Sequence, residues 1–210
     1  EESVDPALLL CRRRIVVLCG SVLAVALCGI VYELLIATVS SYLLGNSVLQ
    51  FSMTIGLFMA AMGIGSYASR PIRRHLLEVF IAAEIALALA GGGSSAFLFV
   101  VFPQSGLYTP VMVVLILIIG TLVGLEIPII VRVLSQHGGL RRGVADALSF
   151  DYVGALIGSV AFPLFLLPHL GLFRSSFAIG ILNSAVAIIN VLVFRKILIR
   201  AHLLLGAAIG

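Results

Sequence analysis

Glu33, Glu84, Glu126 and Asp151 each fall inside a long apolar run. A carboxylate in the hydrocarbon core costs roughly 2.5–3.5 kcal/mol on insertion scales, so such a residue is expected to face other helices or a wet cavity. Glu33 is the extreme case: between Ile15 and Leu44 it is the only Asp, Glu, Lys, Arg or His. No Lys or Arg lies at comparable depth, so these acids must be protonated, wetted, hydrogen-bonded or paired with an external cation. Tyr32 precedes Glu33 and Tyr152 follows Asp151, and aromatic rings beside carboxylates suit organic ammonium groups. Tyr32, Glu33, Glu84, Glu126, Asp151 and Tyr152 are therefore expected to form a cation-accepting pocket that opens to the cytoplasm. Two plainer roles compete: Glu84 and Asp151 lie near enough to an interface to be solvated, and Glu33 could brace a neighbouring helix.

Other chemistry is thin. His75, His137, His169 and His202 are scattered over loops and ends without metal-ligand spacing, and no Ser/His/Asp or Cys/His set stands out. Gly91-Gly92-Gly93-Ser94-Ser95 lacks the Gly-Lys-Ser/Thr of a phosphate loop and sits inside an apolar run, so a close helix contact is the expectation there. Cys19 and Cys28 are about 13 Å apart along one helix, beyond disulfide reach. Neither a catalytic residue nor a metal ligand is expected.

The elements that position the acids follow from composition. Hydrophobic residues make up 61% and charged residues 10% of the chain, against about 45–50% and 25% in a soluble domain. Continuous apolar runs, without strand alternation, point to an all-α polytopic transmembrane bundle. Six spans are expected at about 15–43, 49–69, 77–101, 110–134, 147–168 and 174–195, with a last run from 197. Residues 1–14 form a cytoplasmic leader to a single membrane domain, 15–210. Arg12–Arg14, Arg70, Arg73 and Arg74, Arg132, Arg141 and Arg142, and Arg195, Lys196 and Arg200 occupy alternate connections. The positive-inside rule then puts the N-terminus in the cytoplasm. The net charge of +4 is spread over these small clusters, which is not a nucleic-acid footprint. Pro128, two residues after Glu126, removes the helix partner of the Gly124 carbonyl and is expected to loosen that turn.

Several segments resemble a known family. Tyr32-Glu33-Leu34-Leu35, the run from Ser41 to Ser52, the run from Thr54 to Ser66, Gly124-Leu-Glu126-Ile-Pro128, and Asp151-Tyr152-Val-Gly154-Ala-Leu-Ile-Gly158-Ser159 with Pro163 and Leu170-Gly171-Leu172 resemble the membrane region of bacterial membrane-bound spermidine synthases. The resemblance implies a multi-pass inner-membrane protein of polyamine biosynthesis. In such a protein a soluble Rossmann-like domain transfers an aminopropyl group from decarboxylated S-adenosylmethionine to putrescine. No glycine-rich nucleotide loop or catalytic aspartates of such a domain occur within residues 1–210, so these residues alone are not expected to catalyse the transfer and need no cofactor. The expected role is to anchor the enzyme and to bind or pass polyamine cations, putrescine and spermidine, through the buried acids. The expected partners are lipid and those polyamines, with a second copy of the chain a further candidate. The alternatives are a small cation- or proton-coupled transporter and a passive anchor or oligomerisation module.

Overall fold

The computed structural model describes residues 12–73, 75–104, 106–138 and 140–209, with side chains for 15–73, 75–104, 106–135, 141 and 143–195. Cys11, Arg74 and the side chains of Arg12–Arg14, His137, Arg142, Lys196, Arg200 and His202 lie outside the described residues. Among the described residues there is no strand. The helices are α1 (Arg12–Leu44), α2 (Ser47–Ala68), α3 (Leu76–Val101), α4 (Tyr108–Gly138), α5 (Leu140–Ala161) and α6 (Leu167–Ile209), with a π-helical turn at Phe162–Leu166. Helix α6 holds the run expected from 197 without a break before Ile209. Among the described residues five segments are long and apolar enough to cross a bilayer, the last running from Gly143 to Arg195.

That last segment reverses on itself. A straight helix of its 53 residues would extend about 80 Å, far beyond the roughly 30 Å hydrocarbon core. Gly171, at φ 69° and ψ −175°, breaks the helix in a conformation that a Cβ would strain. Ser175 Oγ then donates to the Leu166 carbonyl at 3.0 Å and closes the corner. Pro163 sits in the π-helical turn just before, where its missing N–H is tolerated in a widened helix. The turn between α1 and α2 uses left-handed backbone at Gly45 and Asn46; the Asn46 side chain accepts from the Leu49 N–H and caps α2.

Contacts between helices fix their directions. Gly154 and Gly158 of α5 meet Leu23 and Leu27 of α1 in parallel order. Cys28 and Ser21 of α1 reach Ile179 and Asn190 of α6 in antiparallel order. Gly120 of α4 packs on Phe58 of α2 and Gly124 on Met62, in parallel order, so α2 and α4 run together. Ser40 at the end of α1 contacts Tyr108 and Met112 at the start of α4. The bundle thus alternates up and down, and Arg132 ties two same-side connections: its guanidinium donates to the Ser69 and Ile72 carbonyls at 2.8 and 2.6 Å. These bonds satisfy carbonyls freed where α2 ends. Helix α1 lies at the centre, with Leu18, Tyr32, Leu35 and Ile36 among its fully buried side chains.

Candidate functional site

The structure brings three of the four interior acids together. Glu126 of α4 and Asp151 of α5 line one cavity of about 10 Å³, walled by Val25, Phe80 and Val123. That is room for about one water. Glu84 of α3 lies within electrostatic reach of Glu126 on the other side, as does Asp151. Glu84 is 0% and Glu126 3% exposed, and none of their four carboxyl oxygens meets a hydrogen-bond partner. The one acid–base contact among the described residues is His75 with Glu78 at 3.1 Å, at the start of α3. Among the described residues the interior acids have no cation of their own.

Helix α4 continues through Pro128. The backbone of the turn before Glu126 is braced from outside, because Gly124 lies flat against the Met62 carbonyl of α2. Tyr32 stands above the cluster. Its ring lies on Gly91, where a Cβ would drive into it at 2.5 Å, and its hydroxyl, like the Glu84 and Glu126 oxygens, has no partner. The glycine run 91–95 remains helical. Gly91 receives Tyr32, and a Cβ on Gly92 would meet the Cα of Gly180 at 3.2 Å, which is a packing use of those glycines.

Glu33 and Tyr152 stand apart. Val22, Val25 and Ala26 mark the level of the cavity on α1, and Glu33 is seven residues beyond Ala26, about 10 Å farther along the helix. Glu33 is buried at 8% exposure, on another side of α1 from Tyr32. Tyr152 is 67% exposed; one step of 100° around α5 turns it outward while Asp151 faces the cavity.

Two asparagines complete the cluster and are not among the residues singled out from the sequence. Asn183 and Asn190 of α6 are both fully buried. Asn183 Nδ2 donates to the Glu84 main-chain carbonyl at 2.8 Å. Asn190 Nδ2 donates to Ser21 Oγ at 2.8 Å and to the Val186 carbonyl at 3.0 Å, and its side chain lies beside the Glu84 carboxyl. Their signal was spacing: Ser176, Asn183 and Asn190 recur every seven residues in an apolar run, which places them on one helix face.

Curated proteins similar to this chain share one name. It is 46% identical over 168 residues to a polyamine aminopropyltransferase of Leptospira interrogans, covering 80% of this chain and 34% of that protein. It is 41% identical over 192 residues to polyamine aminopropyltransferase 1 of Streptomyces coelicolor (88% and 36%). It is 38% identical over 189 residues to the polyamine aminopropyltransferase of Oceanobacillus iheyensis (89% and 36%). The chain belongs to the polyamine aminopropyltransferase family. It spans about a third of the length of these family members. No family model and no solved structure matches it. Decarboxylated S-adenosylmethionine, implied by the family, finds no strand–loop–helix cradle among the described residues, so no step of a transfer is assigned to them.

Proposed function

We propose that this chain is an inner-membrane domain of an aminopropyltransferase-family protein, and that its interior acids receive polyamine cations. In this reading the bundle crosses the membrane six times through residue 195, the hairpin at Gly171 supplying the last two crossings. The end carrying Arg70, Arg132 and Arg141 faces the cytoplasm, in keeping with the positive-inside rule. Glu84, Glu126 and Asp151 are then reached from that side, with Tyr32 closing the pocket inwardly. Glu33 serves as a deeper acid on the far side of Tyr32, and Tyr152 marks the lipid side of α5. Any aminopropyl transfer from decarboxylated S-adenosylmethionine would be the work of family sequence other than these helices.

One observation carries the reading: two buried carboxyl groups, Glu84 and Glu126, have neither cation nor hydrogen-bond donor among the described residues, in a chain whose relatives are named polyamine aminopropyltransferases. The cavity as it stands holds about one water, so reception of an amine requires α4 and α5 to part at their basic ends. That same tightness favours the second reading, a passive anchor with structural acids.

Thermal unfolding of the detergent-purified protein with spermidine, putrescine and ionic-strength controls separates the two. A ligand that binds only the folded state raises the midpoint with concentration, and 100-fold excess over Kd is worth about 2.7 kcal/mol. The expected outcome is a rise with spermidine that disappears in Glu126→Gln. No rise beyond the salt control at millimolar spermidine sinks the polyamine site and leaves the anchor.

A further inference from the structure

We propose that Glu84 is a proton-binding site, a neutral carboxylic acid whose O–H is held by the side-chain oxygen of Asn190 and exchanges through the Glu126–Asp151 cavity.

The hydrogen-bond inventory around Glu84 leads there. Ser21 donates its hydroxyl to the Val17 carbonyl at 2.9 Å, so toward Asn190 it can only accept, and the Asn190 amide must present nitrogen to it. The Glu84 main-chain carbonyl likewise can only accept, which fixes nitrogen of Asn183 toward it. Both Oδ1 atoms are therefore committed as acceptors, and both lack a donor. The two Glu84 carboxyl oxygens are likewise buried acceptors without a donor among the described residues. An ionised Glu84 supplies only more acceptors, whereas a protonated one supplies the missing O–H.

Direction agrees with this assignment. Side chains on α3 lean toward its N-terminus, and antiparallel α6 presents Asn190 on that side of Asn183. Glu84 thus leans from the level of Asn183 toward Asn190, beside which its carboxyl lies. A metal is a poor substitute: among the described residues no group of three His, Cys, Asp or Glu can hold one. An organic ammonium exceeds a cavity of about 10 Å³. A proton needs no volume.

Titratable groups face Glu84 from three packed helices. Helix α1 contributes Cys28 and, through it, Tyr32; α4 contributes Glu126; and α5 contributes Asp151 beyond Glu126. Helix α6 offers the uncharged Asn183 and Asn190. Asp151 is half-buried, so the proposed route runs from the surface past Asp151, through the cavity with its room for about one water, and by Glu126 to Glu84. The site uses acids of the polyamine reading but does not depend on it; an arriving ammonium group would have to displace the proton.

Infrared spectra of the reconstituted full chain, with no polyamine present, test this. Wild type at neutral pH should show the C=O stretch of protonated carboxyl, and Glu84→Gln should lose one carboxyl of that intensity. Asn190→Leu should move the band to the higher frequency of an acid without a hydrogen bond. Transfer to D₂O should shift the band within minutes, and more slowly in Glu126→Gln. If Glu84→Gln does not fold, the frequency change in Asn190→Ser answers the same question. A protonated-carboxyl band untouched by either position, or one that never exchanges in D₂O, overturns the proposal. A polyamine-induced midpoint rise in a protein that fails this test would leave the amine site standing alone.

Discussion

The α2–α4 seam and the α3–α6 seam solve the same packing problem with opposite chemistry. In the first, Gly65, Gly120 and Gly124 bring backbone onto the carbonyls of Thr121, Phe58 and Met62. In the second, Gly92 and Gly180 meet Cα to Cα, and around that contact stand Ser176, Asn183, Asn190 and Glu84, all fully buried. In the bilayer setting proposed above, lipid offers no hydrophobic gain for helix association, and both seams would rely on close packing by small residues. Polar oxygens without partners occur on both sides of the comparison, Gln50 Oε1 and Thr54 Oγ1 lying on the buried stripe of α2 with Gly65, at about 1–3 kcal/mol for each unsatisfied group. What sets the second seam apart is the Glu84 carboxyl beside its two asparagines.

The largest test of this contrast is Gly124→Val. A Cβ there is aimed into the Met62 carbonyl and close to its Cα at 2.5 Å. Those are backbone atoms that cannot swing aside, so a cost of about 3 kcal/mol or more is expected. Size-exclusion after brief heating should show loss of the monodisperse peak well below the wild-type temperature. An unchanged profile would mean that α2 does not seat on α4 as described.

Gly180→Ala comes next. Its Cβ would meet the Gly92 Cα at 2.9 Å and the Ala88 carbonyl at 3.1 Å, a tighter fit than side chains normally reach but one that a small shift relieves. A cost of about 1–2 kcal/mol is expected, seen as a lowered thermal midpoint. The same displacement should loosen the Asn183 hold on Glu84, so the infrared band should broaden. No Gly124 variant that remains folded should change that band, and one that did would erase the distinction between the seams.

The all-helical architecture was legible because composition leaves no other way to satisfy backbone groups in lipid. The interior acids were legible too, since a charge in an apolar run cannot hide. Depth along each helix could be read from position; azimuth could not. Tyr32 and Tyr152 look equivalent beside their acids, yet one faces the cluster and the other the exterior. Glu33, seven residues beyond Ala26 and eleven beyond Val22, shares a helix face with those residues of the cavity wall without sharing their level. The last two expected spans leave residues 169–173 between them, and the helix breaks there at Gly171, because a proline is accepted early in a helix while only glycine takes φ 69° cheaply. Asn183 and Asn190 carry no charge, and charge was the signal that marked the interior acids.

Ser176→Ala is expected to do least, and it sharpens the contrast from the other side. Its hydroxyl donates to the Gly91 and Gly92 carbonyls at 2.9 and 2.7 Å, joining α6 to α3 one contact away from Gly180. Residues 91 and 92 lie within helix α3, so their carbonyls keep their helical amide partners when the serine is removed, and no buried group is orphaned. Polar contacts between membrane helices average about 0.6 kcal/mol, and the expected fall in midpoint corresponds to that. Glu84 should keep its infrared band, because Ser176 does not touch its carboxyl or either asparagine. A large loss of stability together with an altered band would make the whole α3–α6 seam one cooperative network rather than a packed crossing with a proton site beside it.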